Sequence, residues 1–128
     1  MTKTILVVDD EEDNRMTLKG ILEKNRYAVV TAEDGADCLR RLREQKIDLI
    51  LLDIMMPGMT TKEIYSKIRE IVKGTKIIYV TAVQMSESER EGLLKQSGAI
   101  DFIQKPYDIK DLLRHVKNAV VPAKEQDL

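Results

Sequence analysis

Five times in this chain a short apolar run gives way to a stretch whose apolar residues recur at helical spacing, with no long linker between them. The runs fall at 4–8, 28–32, 49–52, 77–80 and 101–104. Between and after them come Leu18, Ile21 and Leu22; Leu39 and Leu42; Ile64, Ile68, Ile71 and Val72; Leu93 and Leu94; and Ile109, Leu112, Leu113, Val116 and Val120. Apolar residues at a 3.6-residue period mark an amphipathic helix, and a short unbroken apolar run marks a strand buried on both faces. Strand and helix alternating in this way predict a parallel sheet with helices on both faces, a doubly wound α/β fold. Right-handed crossovers reduce the possible topologies to a few. A chain of 128 residues suits one such domain.

Boundary signals agree with this division. Thr60-Thr61-Lys62-Glu63 and Ser86-Glu87-Ser88-Glu89 carry the hydroxyl and carboxylate of a capping box, which satisfies free amides at a helix start. Asp108 is placed to cap the last helix, and Gly74 and Gly98 to end helices. The segment from Pro122 to Leu128 is polar and proline-led, so it is expected to fray or to begin a linker. The domain is therefore assigned to 1–121, with 122–128 as a flexible tail.

Charge and cysteine content narrow the function classes. The net charge of −1 supplies no basic field for nucleic acid or anionic lipid, so no direct contact with either is expected. The single cysteine, Cys38, excludes an internal disulfide, fits a reducing compartment and reads as packing or surface filler on a helix. No apolar stretch approaches the roughly 20 residues that span a bilayer, and the first residues lack the apolar core of a signal peptide. A cytoplasmic protein is expected.

The chemistry lies at the ends of the runs. Asp9-Asp10 follows Ile5 to Val8, Asp53 follows Ile47 to Leu52, Thr81 follows Ile77 to Val80, and Lys105-Pro106 follows Phe102-Ile103. Parallel strands bring these ends to one sheet edge, where ligands of open α/β sheets bind. Three ionised carboxylates so close together repel; Lys105 offsets one charge and a divalent cation the other two. Oxygen ligands favour magnesium, which keeps some positions for water or phosphate. Such a site suits phosphoryl transfer, which depends mainly on positioning and electrostatic stabilisation. Asp53 is the candidate nucleophile, and Lys105 and the Thr81 hydroxyl are candidate phosphoryl-oxygen ligands.

Val7-Val8-Asp9-Asp10, Asp53-Ile54-Met55-Met56-Pro57-Gly58, Val80-Thr81-Ala82 and Phe102-Ile103-Gln104-Lys105-Pro106 together resemble the four signatures of the response-regulator receiver domain. The resemblance covers about residues 3–121. It implies a flavodoxin-like (βα)5 fold with strand order 2-1-3-4-5, an order carried over from the family and not read from the residues. It also implies magnesium, a sensor histidine kinase or phosphotransfer protein as donor, a downstream protein target, and a conformational switch as output. Position by position, Asp53 resembles the phosphoacceptor, Asp10 the direct magnesium ligand, and Asp9 the residue that supports the metal through water. Met55 is implied to lend its backbone carbonyl to the metal. Thr81 and Phe102 resemble the switch pair, Lys105 the phosphoryl-binding lysine, and Pro106 the site of a cis peptide. Asp13, Asn14 and Thr17 are implied to face the kinase. The fourth helix, last strand and last helix are implied to form the output face, and Met55 and Val83 to slow hydrolysis. One departure from the family is Thr60-Thr61, where an acidic residue and glycine are frequent.

Plainer readings compete for several of these residues. Asp9 and Asp10 could cap the first helix. Met55, Met56 and Met59 could mark a soft-metal site, though loop packing suits a pocket of hard oxygens better. His115, beside Arg114 and near Lys117, reads as solvated, and Phe102 could be core filler. A phosphatase working through an aspartyl phosphate is one rival, but the residue two after Asp53 is Met55, which cannot act as a general acid. A non-phosphorylated interaction module is the other, opposed by the presence of Asp9, Asp10, Asp53, Thr81 and Lys105 together. Gly92, with Leu93 and Leu94 as the only strong anchors, predicts a loosely held fourth helix.

Overall fold

A computed structural model describes residues 2–54 and 56–120. Each apolar run becomes a strand and each helical pattern a helix. The order is β1 (Thr4–Val8), α1 (Glu12–Lys24), β2 (Ala28–Ala32), α2 (Gly35–Glu44), β3 (Leu49–Leu52), α3 (Thr61–Ile71), β4 (Lys76–Thr81), α4 (Glu87–Ser97), β5 (Asp101–Gln104) and α5 (Ile109–Val120). All paired strands are parallel, in the order β2-β1-β3-β4-β5. The expected (βα)5 topology is present.

Successive strand residues point to opposite faces of the sheet, so each strand feeds two cores. Leu6, Val8, Ile50, Leu52, Ile77, Tyr79 and Phe102 pack with Cys38, Leu39 and Leu42 of α2 and with Ile64 and Ile68 of α3. Ile5, Val7, Leu49, Leu51, Ile78, Val80 and Ile103 pack with Leu18 and Leu22 of α1 and with Leu112, Val116 and Ala119 of α5. Each fully buried Leu or Ile contributes about 1.5–3 kcal/mol relative to an exposed one, so the central strands hold the frame firmly. Helix α4 is the exception. Its one buried residue is Ser97, and Leu93 and Leu94 are only half-buried.

The helix ends depart from expectation in two places. Ser86 and Glu89 form the full reciprocal capping box, with both bonds between 3.1 and 3.2 Å. At Thr60 only one arm forms: its hydroxyl accepts from the Glu63 amide at 3.1 Å, while the Glu63 carboxylate accepts from that hydroxyl and not from the Thr60 amide. Asp108 accepts from the Asp111 amide as expected, at 3.1 Å. Gly98 ends α4 in the left-handed region, at φ +72°. Gly74 does not end α3. The chain already leaves that helix at Val72, whose backbone is extended at φ −132°, and the Arg69 guanidinium fastens the following loop by donating to the Thr75 carbonyl at 2.6 Å. The tail expected at 122–128 lies outside the described residues.

Candidate functional site

The sheet ladder continues one step past its strands and so orients the loop carboxylates. The Asp9 amide donates to the Ala32 carbonyl at 3.2 Å, and the Asp53 amide to the Val8 carbonyl at 3.0 Å. Asp9, Asp10 and Asp53 thereby bring carboxylate oxygens within 4.8 Å of one another. Asp9 and Asp53 are 2% and 8% exposed, whereas Asp10 faces solvent. The Lys105 ammonium enters from the end of β5, donating to Asp9 Oδ2 at 2.7 Å and to Asp53 Oδ2 at 3.2 Å. Burial alone would lower the Lys105 pKa, but the Asp9 hydrogen bond and the charges of Asp53 and Asp9 together outweigh it, and the pKa is raised. The lysine is thus held charged between two acids.

Asp9 is not a helix cap. Glu11 occupies the N-cap position of α1 and makes no side-chain cap bond. Asp9 Oδ1 instead accepts from the Glu11 amide at 2.9 Å, which closes the loop and leaves Oδ2 to the lysine. A second restraint comes from Arg15, whose Nη1 donates to the Asp9 carbonyl at 2.7 Å. Sequence reading missed Arg15. A faint signal existed, since a cation near a helix N-terminus runs against the helix dipole and needs a compensating partner.

Thr81 closes β4 and is fully buried, with its hydroxyl accepting from the Val83 amide at 3.1 Å. Phe102 is 8% exposed, edge-on to Tyr79 with ring centroids 6.3 Å apart, and the Arg90 guanidinium lies 5.2 Å from its centroid. The sheet edge therefore joins Asp9, Asp10, Asp53 and Lys105 directly, with Thr81 on the neighbouring strand end. Met55 lies outside the described residues, so its implied carbonyl ligand does too. Met56 and Met59 pack against the core. The Lys105–Pro106 peptide is cis, as the resemblance implied. Three carboxylates with oxygen donors alone, one of them open to solvent, fit a hard divalent cation such as magnesium.

His115 corrects the sequence reading. It is half-buried, its Nδ1 pairs with Asp101, and its Nε2 lies 3.5 Å from Asp111 Oδ2. Helix α5 lies over β5, which brings Asp101 to it, and a spacing of four residues puts Asp111 on the same helix face. Of the two readings of Cys38 the structure shows packing and not surface filler: the residue is buried in the core, and burial, with the Asp37 charge, pushes its thiol pKa up to about 12. Asn14 and Thr17 do share a surface with the site. With Lys105, Pro106, Tyr107 and Ile109 they line a groove of about 520 Å3.

The family model for the response regulator receiver domain matches residues 5–117. The transcriptional regulatory protein ResD of Bacillus subtilis is 40% identical over 113 residues, covering 88% of this chain and 46% of ResD. The chain spans about half the length of the curated relatives it matches. Among solved structures, chemotaxis protein CheY4 of Vibrio cholerae superposes with a TM-score of 0.83 at 30% identity, covering 94% of this chain and 100% of that one. Response regulator TrrA of Thermotoga maritima, in complex with magnesium and beryllium fluoride, gives 0.79 at 36% identity, covering 92% of this chain and 99% of TrrA.

Proposed function

The chain belongs to the response regulator receiver family, the phosphorylation-activated domains of two-component signalling, and from that premise we propose that Asp53 is its phosphoacceptor. The observation that carries this reading is the Lys105 ammonium held between Asp9 and Asp53, with one carboxylate oxygen from each of Asp9, Asp10 and Asp53 within 4.8 Å of one another. An Asp53 oxygen forms the new P–O bond as the donor's P–N bond breaks, and the electron pair stays with the donor histidine nitrogen. Lys105 binds one oxygen of the transferring group, and the Thr81 hydroxyl, already an acceptor from the Val83 amide, donates a hydrogen bond to another.

Asp10 and Asp53 would hold magnesium directly, with Asp9 acting through water and Met55 lending its carbonyl as the family resemblance implies, and the ion would neutralise charge that builds on the phosphoryl oxygens. Hydrolysis returns Asp53 to its carboxylate, so the chain catalyses its own phosphorylation and dephosphorylation and is not a turnover enzyme. Thr81 and Phe102 act as the switch pair. The groove beside Asn14 and Thr17 receives a sensor histidine kinase or phosphotransfer protein, and the α4–β5–α5 face meets a downstream protein target. No helix among the described residues is long and apolar enough to cross a membrane. The net charge of −1 supports a protein target over nucleic acid, and the lone reduced cysteine supports a cytoplasmic setting. Residues 1–121 are the receiver unit.

Intact mass after incubation with acetyl phosphate tests the reading. Wild type is expected to gain one phosphoryl group only when magnesium is present, and Asp53→Asn to gain none. An equal gain in the variant would place the acceptor elsewhere.

A further inference from the structure

Gln104 uses every polar atom of its side chain between two strand ends and a helix. Its Nε2 carries two hydrogens and donates to the Thr81 carbonyl and to the Lys105 carbonyl, both at 3.2 Å. Its Oε1 accepts from Arg90 Nη2 at 3.2 Å. That third bond fixes which way the carboxamide points, because a flipped amide would turn its NH2 toward a guanidinium that can only donate. Thr81 and Gln104 already face each other in the β4–β5 register, and the Lys105 amide donates to the Thr81 carbonyl at 2.7 Å. The carboxamide therefore adds a second bond to a carbonyl the ladder already uses. It ties together the two residues whose side chains serve the site.

Arg90 extends this tie to a helix. It lies on α4, its guanidinium covers the Phe102 ring, and its Nε is buried with no hydrogen-bond partner among the described residues. One side chain thus spans Phe102, Gln104 and the least buried helix of the fold.

We propose that Gln104 is a positioning residue that clamps the strand ends bearing Thr81 and Lys105, and that Arg90 reads that clamp and couples it to α4. The inference rests on the reading of Asp53 as phosphoacceptor. When Thr81 or Lys105 moves toward an incoming phosphoryl group, the carbonyl held by Gln104 moves with it. The carboxamide turns, and Arg90 must either follow or let go. Because α4 has few buried anchors, that bond stands beside only the packing of Leu93, Leu94 and Ser97 in fastening it to the sheet.

The test uses the full chain with two readouts, phosphoryl uptake from acetyl phosphate by intact mass and amide exchange of α4 with and without magnesium and beryllofluoride. Wild type is expected to change its α4 exchange about fivefold, the weight of one net hydrogen bond. Arg90→Met keeps the aliphatic stem and leaves the two carbonyls to hold the Gln104 NH2, so it is expected to lose the α4 response while slowing phosphoryl uptake less than Gln104→Glu does. Arg90→Lys keeps a cation and a donor and is expected to restore part of that response; it also decides the matter if Arg90→Met fails to fold. Gln104→Glu still accepts from Arg90 but cannot donate to either carbonyl. It is expected to slow maximal uptake about fivefold without changing half-saturation by acetyl phosphate. A wild-type α4 response in both Arg90 variants, or wild-type uptake in Gln104→Glu, overturns the proposal. Phosphoryl uptake by wild type with no α4 response overturns the coupling and leaves the Asp53 reading intact. No uptake by wild type overturns both.

Discussion

Lys105 serves two carboxylates at once, and its protonation gives the site a measurable pH signature. Its pKa in the folded chain is raised above the ordinary 10.5, the folded state favouring the ammonium. The stabilisation is therefore fully present below pH 10.5 and is lost as pH rises through the folded value. In urea melts, wild type is expected to exceed Lys105→Met in stability at neutral pH, with the gap closing above pH 10.5. Cys38 gives a second test. Its thiol is buried and pushed up to about 12 from an ordinary 9.0, so the folded chain favours the neutral form, and that contribution is lost as pH rises from 9.0 toward 12. Alkylation by iodoacetamide at pH 8 is expected to track unfolding and not the intrinsic thiol rate. Fast labelling of the native chain would contradict the burial. At this scale the sequence was an uneven guide. Asp9, Asp53 and Lys105 declared themselves by standing at strand ends, whereas Arg15 and His115 find their partners only through the way helices lie on the sheet.

Helix α4 is where local and tertiary forces disagree most. Its capping box and its left-handed Gly98 define both ends well, yet little of its surface is buried. Two glycine substitutions separate these contributions. A Cβ added at Gly92 meets nothing within 4 Å, so Gly92→Ala is expected to stabilise the chain by about 1 kcal/mol in chemical denaturation. A Cβ at Gly98 would lie 2.3 Å from the Tyr65 hydroxyl, and the backbone there is at φ +72°. Gly98→Ala is expected to destabilise by more than the roughly 1 kcal/mol that an unstrained exchange could gain. Equal effects at the two positions would mean that α4 is held by contacts other than those seen. Gly92 and the sparse anchors Leu93 and Leu94 made the slight burial of this helix legible in the sequence. The Arg90–Gln104–Thr81 connection was not, because it depends on the register of β4 against β5.

Across the whole molecule, three acids from two separate loops meet at one edge, so cation binding and folding are linked. Magnesium at about 100 times its dissociation constant is expected to stabilise wild type by about 2.7 kcal/mol, if it binds only the folded chain. Asp53→Asn removes one of three mutually repelling carboxylates and is expected to be more stable than wild type without magnesium and to gain less from it. Denaturation of both proteins with and without the ion checks this, and an equal magnesium gain in the two would remove Asp53 from the cation site. What the sequence determined by itself was the period and order of its apolar residues. Burial on both faces requires unbroken apolar strands, so their positions and the carboxylates, hydroxyl and ammonium at their ends could be read directly, while strand order came only from resemblance. What only the tertiary structure decided was which side chains from distant elements touch. Lys105 reaching Asp9, Arg15 holding the Asp9 carbonyl and Gln104 bridging two strand ends all depend on register and side-chain direction, to which apolar periodicity is blind.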